Sequence, residues 1–144
     1  MNPIDSLVSP RSALGNQDTI TSSLDALVEK QRYSEALQYL SQFDAVLTPD
    51  ILLGKAKACY GLGNYTTMLS VISIVEYIEW DTYEFYLLKG KALFSLKEYE
   101  SSYEAFEKSY KMHPTQEAQE ALFRCQIKLF REQNPTENVT VLHP

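Results

Sequence analysis

Two rows of side chains in this sequence each combine an apolar, a cationic and an aromatic group, and the second row follows the first at an offset of 34 residues. The six residues are Leu53, Lys57, Tyr60, Leu87, Lys91 and Phe94. Their spacing of i, i+4 and i+7 puts each row on one face of a helix. Such a face could bind an extended or helical peptide that carries hydrophobic and acidic side chains. The alternative is that the leucines pack between helices and the lysines lie on a solvated helix surface.

Side chains that could catalyse a reaction or bind a metal are few in this sequence. The two histidines, His113 and His143, lie at a predicted helix end and in the C-terminal tail, which does not suit a catalytic triad or a metal site. Cys59 and Cys125 lie inside apolar helical patterns without CxxC spacing, which is typical of buried, reduced thiols. The sequence has no glycine-rich phosphate loop and no nucleophile elbow. We therefore expect a protein that is not an enzyme and has no cofactor or metal; an uncharacterised type of enzyme is the alternative from another class.

The composition is that of one soluble globular domain, since 44% of the 144 residues are hydrophobic and 22% are charged. The net charge of −6 disfavours binding to nucleic acid and to anionic membranes. No continuous apolar run reaches the ~18 residues of a membrane span, and the first residues lack the pattern of a signal peptide. These observations predict a location in the cytoplasm, the nucleus or both.

The two rows belong to a longer internal repeat. The segment LLGKAKACYGLGNY at 52–65 is echoed by LLKGKALFSLKEY at 87–99. Tyr33, Tyr65 and Tyr99 mark the same turn in three successive units, at separations of 32 and 34 residues. A fixed period of this length indicates stacked supersecondary units that bury their apolar faces against one another.

Apolar residues at helical spacing predict seven helices. Their approximate ranges are 20–30, 32–43, 49–61, 65–78, 84–96, 99–112 and 116–131. Asp18 and Thr19 are candidate caps of the first helix, and Pro49 suits the first turn of the third. The seventh helix has one apolar stripe and polar residues elsewhere, so we predict that it caps the stack. The stripe consists of Ala118, Leu122, Cys125 and Leu129.

The repeats resemble those of the tetratricopeptide repeat (TPR) family over residues 18–132, and the third repeat resembles them most. Its matching residues are Tyr86, Gly90, Leu93, Ser102, Phe106 and Pro114. The resemblance implies an all-α, TPR-type helical solenoid of three antiparallel helix pairs with a C-terminal capping helix. Met68 and Val75 stand where the family prefers small residues, and Trp80 replaces the proline that usually ends a repeat.

This organisation predicts a flexible or docked N-terminal arm, a repeat domain and a C-terminal tail. The predicted boundaries are 1–17 for the arm, 18–132 for the TPR domain, 18–48, 49–82 and 83–116 for the repeats, 116–131 for the cap and 133–144 for the tail.

The resemblance also implies that the first helices of successive repeats line a concave groove, which would contain both rows. We then expect a protein or peptide partner with apolar and acidic residues. Many cochaperones of the family bind the C-terminal carboxylate of a heat-shock chaperone through two lysines, two asparagines and an arginine. The five corresponding residues here are Thr21, Asp25, Gly54, Glu84 and Leu88. None of them matches, so we expect no carboxylate-clamp binding.

A second predicted surface is apolar and lies on the outer side of the second repeat. Its residues are Val71, Ile74, Tyr77 and Ile78. The N-terminal arm, another protomer or subunit, or ordinary burial could cover it. The chain thus resembles an adaptor or scaffold, loosely similar to the repeat domains of CS-domain cochaperones or of anaphase-promoting complex subunits. A homodimer or a subunit of a multiprotein complex fits this reading.

Overall fold

The computed structural model describes residues 17–43 and 48–135, and all regular secondary structure in these ranges is helical. The seven α-helices in these ranges are α1 (Gln17–Glu29), α2 (Tyr33–Leu40), α3 (Pro49–Gly61), α4 (Tyr65–Tyr77), α5 (Tyr83–Ser95), α6 (Tyr99–Met112) and α7 (Gln116–Gln133). A short 3-10 turn, Ser41–Phe43, follows α2. The predicted all-α fold class is confirmed. Residues 1–16 of the predicted arm and residues 136–144 of the predicted tail lie outside the described residues.

The predicted helix bounds agree with the structure for α3 and α6, and they differ by a few residues elsewhere. Helix α1 already begins at Gln17, so Asp18 lies in its first turn, where it can interact with the helix dipole, and does not cap the helix. Helix α2 ends at Leu40, because the predicted last turn is a 3-10 turn. Helix α7 continues to Gln133, beyond the predicted end at Arg131.

Side-chain caps fix the start of three helices, and at α7 the Thr115 hydroxyl accepts a hydrogen bond from the Ala118 amide at 3.1 Å. The Thr48 hydroxyl accepts a hydrogen bond from the Ile51 amide at 3.2 Å, and Pro49 occupies the first turn of α3. The Asn64 side chain accepts a bond from the Thr67 amide at 3.3 Å. This cap helps to explain why α4 is helical although it is rich in β-branched residues.

The turn inside each helix pair has the same backbone geometry. In all three turns a residue with positive φ stands two positions before the repeated tyrosine: Gln31 (60°), Gly63 (75°) and Lys97 (65°). In the α3–α4 turn the Asn64 amide donates to the Cys59 carbonyl at 2.9 Å and the Gly63 amide donates to the Tyr60 carbonyl at 2.9 Å, and the other two turns repeat this pattern. These are Schellman-type helix ends.

The described helices form two compact units, which divide after Trp80, and each is described here by itself. In the first unit, α1 and α2 both pack against α3, and α3 packs against α4. Its core cluster is apolar throughout. The buried members are Ile20, Leu24, Ala36, Leu40, Ile51 and Ala58.

The second unit consists of α5, α6 and α7, in which α6 packs against both of its neighbours. Its core cluster is formed by Phe106, Ala121 and Cys125. Gly90 lets the Phe106 ring approach α5 closely, since a Cβ atom at Gly90 would lie 2.5 Å from two ring carbons. The buried Ser102 hydroxyl donates to the Gly90 carbonyl at 2.7 Å, so this polar side chain is satisfied inside the core.

Candidate functional site

The first row of predicted groove residues, Leu53, Lys57 and Tyr60, lies on α3 and is called the α3 row below. Leu53 is buried, whereas Lys57 and Tyr60 are half-buried. The Tyr60 ring stands 5.7 Å from the Tyr65 ring, measured between centroids. Lys57 forms no ion pair with any residue that the structure describes. The α3 row therefore presents, near an aromatic ring, a cation that has no ion-pair partner in the described part of the chain.

The second row, Leu87, Lys91 and Phe94, lies on α5 and is called the α5 row. Leu87 and Phe94 are half-buried and pack against the core cluster that α6 and α7 form. The Phe94 ring also meets the Tyr99 ring edge to face at 5.1 Å. The Lys91 ammonium forms an ion pair with Glu117 of α7 at 2.5 Å.

The two rows thus differ in what their side chains contact. Leu87 of the α5 row packs between helices, as the alternative interpretation of the sequence has it. Phe94 packs inside the same unit as well. Lys91 already has a carboxylate partner, which lowers its capacity to bind an acidic group of another protein. In the α3 row Leu53 is buried as well, and Lys57 and Tyr60 remain as candidate contacts.

The predicted outer apolar surface lies on α4 and needs one correction. Val71 is only 5% exposed, so it belongs to the buried side of the helix and not to the surface. Ile74, Tyr77 and Ile78 are exposed, and Tyr77 is 88% exposed. We call these three residues the α4 patch. Trp80, which sequence reasoning treated only as a departure from the repeat pattern, is a further exposed aromatic residue next to it.

The surface of α7 contradicts the prediction that this helix is polar outside its core stripe. Phe123 is 63% exposed and Phe130 is 51% exposed, whereas Ala118, Ala121 and Cys125 are buried on the opposite side. The sequence did contain the signal, because Phe123, Ile127 and Phe130 follow the same i, i+4, i+7 spacing as the two rows.

The titratable groups show little that could do chemistry. Burial raises the pKa of the Cys59 and Cys125 thiols, so both are held protonated and unreactive. A hydrogen bond from the Tyr86 hydroxyl, 2.7 Å long, is the main cause that lowers the pKa of Asp81. Among the described residues, no three His, Cys, Asp or Glu side chains converge to hold a metal ion. Within those same residues, no helix combines the length and the apolar character that crossing a membrane requires.

Comparison with solved structures identifies the fold. The first TPR domain of the human RPAP3 protein, solved by NMR, superposes with a TM-score of 0.74 and covers 88% of this chain and 98% of its own. The chain has the TPR fold. Sequence identity to that domain is 19%, so the likeness concerns the fold alone.

Sequence comparison gives a weaker likeness. A rice protein (Oryza sativa subsp. japonica), the DnaJ protein P58IPK homolog A, is 28% identical over 89 residues. The match takes in 60% of this chain but only 19% of the rice protein, so the chain corresponds to about a fifth of that relative. No protein-family model matches the chain. TPR-type stacks typically present extended surfaces to other proteins.

Proposed function

We propose that this chain is a non-catalytic protein-interaction module, an adaptor that binds a segment of a partner protein along the concave face of its repeats. The observation that carries the proposal is the half-buried Lys57, which lies near Tyr60 on α3 and forms no ion pair with a described residue. A lysine in that state keeps its ammonium available for a carboxylate, and the neighbouring ring offers an apolar contact. The TPR fold supports the proposal, because this architecture exposes the first helices of its repeats for binding.

The chemistry of the α3 row defines the partner segment. A segment with an acidic side chain for Lys57 and an apolar or aromatic one for Tyr60 fits this face. A C-terminal carboxylate held by the family's five-residue clamp does not fit, because Asp25 and Glu84 stand at two of the clamp positions and would repel it.

The binding of selected peptides tests this proposal. Random peptides displayed on phage are selected against the full chain, and the affinity of the best binder is measured for the wild type, Lys57→Glu and Lys55→Glu. Lys55 is the matched control, since it lies on the same helix, is exposed and is not part of the row. We expect acidic and apolar residues to be enriched and Lys57→Glu to weaken binding about tenfold or more, whereas Lys55→Glu changes it little. Binding that is indifferent to Lys57→Glu would reject the α3 row as the site.

A second candidate function has its own observation, the α4 patch. Exposed apolar residues at the C-terminal end of α4 and directly after it, with Trp80 beside them, are typical of a surface that another protein covers. In this proposal the chain is a scaffold subunit of a larger complex, of the ubiquitin-ligase or cochaperone type, which self-associates or docks through α4. The name of the rice relative, a DnaJ protein, agrees with the cochaperone setting.

The same selection separates the two candidates. Tyr77→Glu replaces the most exposed aromatic residue of the α4 patch, and its exposure means that the fold should tolerate the change. Loss of peptide binding in Tyr77→Glu with full binding in Lys57→Glu would support the scaffold proposal and contradict the groove proposal. A location in the cytoplasm or nucleus stays a prediction from the sequence.

A further inference from the structure

Helix α7 is apolar on two opposite faces, and the outer face has no described cover. The inner face places Ala118, Ala121 and Cys125 in the core. Phe123 and Phe130 project from the outer face with more than half of each side chain exposed. Large exposed aromatic residues on one helix face are typical of a surface that another protein covers.

An open cleft lies at the N-terminal end of the same face. It has a volume of about 810 Å³ and is formed by the end of α6 and the first turns of α7, with Tyr110, Pro114 and Phe123 among its walls. Phe130 lies two helical turns further along α7, outside the cleft. One face of the helix thus presents an aromatic side chain at one end and, at the other, a cleft whose walls combine Tyr110 and Phe123 with polar side chains of the first turns of α7.

Charged residues flank the outer apolar stripe of α7, which Phe123 and Phe130 form, and their sign differs between the two ends of the helix. Glu120 flanks the stripe in the N-terminal half of α7, and Arg124 and Arg131 flank it on the same side further along. Glu120 is 3.9 Å from Arg124 within the helix. Arg131 forms no ion pair with any residue that the structure describes. The other side of the stripe is neutral and carries Gln119 and Gln126.

We infer that the outer face of α7 binds the same face of a second copy of this chain, with the two helices antiparallel. A two-fold axis across the helices places Phe130 of each copy over the cleft and Phe123 of the other. The same axis keeps the charged side of one helix against the charged side of the other and reverses its direction, so that Glu120 approaches the partner's Arg131. A parallel pair would instead place the charged side against the glutamine side. This self-association is independent of the peptide binding proposed above, since it uses neither the α3 row nor the α4 patch.

Sedimentation equilibrium of the full chain over a wide concentration range tests the inference. We expect a reversible dimer for the wild type, and we expect Phe130→Glu to raise the dissociation constant about tenfold or more, because it buries a charge in an aromatic contact. Leu62→Glu is the matched control, an equally drastic change at an exposed apolar residue directly after α3, and should dimerise like the wild type. Far-UV circular dichroism verifies that both variants fold. A wild-type chain that stays monomeric, or a Phe130→Glu variant that dimerises unchanged, would overturn the inference.

Cysteine cross-linking tests the orientation of the two helices. Gln126 lies near the proposed two-fold axis, so two copies of a Gln126→Cys variant should form a disulfide under mild oxidation. Gln119→Cys is the matched control from the same side of the helix, and its two copies would stand about 20 Å apart in the antiparallel pair. The native Cys59 and Cys125 are buried and should not interfere. Equal or faster cross-linking of Gln119→Cys would contradict the antiparallel arrangement.

Discussion

The α3 row and the α5 row are nearly identical in sequence, yet their side chains have different surroundings. On α5, Leu87 and Phe94 pack against the α6–α7 core, and Lys91 is paired with Glu117. On α3, Lys57 has no ion pair among the described residues, and Tyr60 has only the Tyr65 ring as a described aromatic neighbour. A repeated pattern therefore shows that two helices have the same structural role, but it does not show that they offer the same surface.

The reason for the difference is the composition of α7. Its Glu117 and its core residues Ala121 and Cys125 provide contacts that the α5 row uses inside its own unit. A row of this kind stabilises the fold. Four experiments test this contrast between the two rows, from the largest expected effect to the smallest.

The largest effect is expected from the aromatic residue under the α5 row. Phe106→Ala removes a buried ring against which Leu87 and Phe94 pack and which fills the space next to Gly90. We expect the free energy of unfolding to fall by about 3–5 kcal/mol, as measured by urea denaturation. Tyr77→Ala, at an exposed ring, is the control and should change it by about 0.5 kcal/mol or less. A loss near the control value would mean that the α5 row is not anchored in the core.

The second experiment substitutes one turn residue in the α3–α4 pair and one in the α5–α6 pair. Gly63 and Lys97 both have positive φ, 75° and 65°, but only Gly63 lacks a Cβ atom that disfavours this conformation. Lys97→Gly should therefore raise the free energy of unfolding by up to about 1 kcal/mol, and Gly63→Ala should lower it by a similar amount. Thermal unfolding of both variants measures the two shifts. Shifts of the same sign would show that the two turns are not equivalent.

The third experiment measures the ion pair that separates the two lysines. A double-mutant cycle with Lys91→Gln and Glu117→Gln should give a coupling energy of about 0.2–1 kcal/mol, which decreases in high salt. Lys57→Gln is the matched variant in the α3 row, and its unfolding should not depend on Glu117. Zero coupling between Lys91 and Glu117 would mean that Lys91 is as available as Lys57 to bind an acidic group of a partner.

The smallest effect concerns pH and the two buried thiols. The pKa of Cys59 and that of Cys125 are raised above 9.0 in the folded state, chiefly by burial. Their contribution to stability is therefore complete below pH 9.0 and is lost as the pH rises from there through the folded-state values, because the unfolded chain ionises first. Denaturation of the wild type and of a variant with alanine at both positions should show a steeper alkaline loss for the wild type. Parallel pH profiles would contradict the burial argument.

The sequence predicted the helices well because their signals are local. Pro49 and the period of 34 residues predicted the start of α3 and its relation to α5 without any tertiary information, and the structure adds the Thr48 cap. The positions of the turns were predictable from Tyr33, Tyr65 and Tyr99 for the same reason. These features depend on a few neighbouring residues, so they can be predicted from the sequence alone.

The surroundings of the candidate site were less predictable, because they depend on contacts between distant residues. Nothing local to Lys91 shows that Glu117 of α7 will meet it, and nothing local to Val71 shows that it faces inward while Ile74 faces out. The second apolar face of α7 was predictable from the sequence. The first stripe, with Cys125 and Leu129, was by itself sufficient to predict a helix with one buried side. A helix can pack one face against the core and still expose another face to a partner.

An NMR titration tests the central claim that the α3 row binds a partner segment and the α5 row serves the fold. A selected acidic peptide is added to the isotope-labelled full chain, and the shift of each backbone amide signal is followed. We predict the largest shifts at Lys57 and Tyr60 and in the turns of α3 around them, with the signals of Lys91 and Glu117 nearly unchanged. Shifts centred on Lys91, or confined to the α4 patch, would contradict the account.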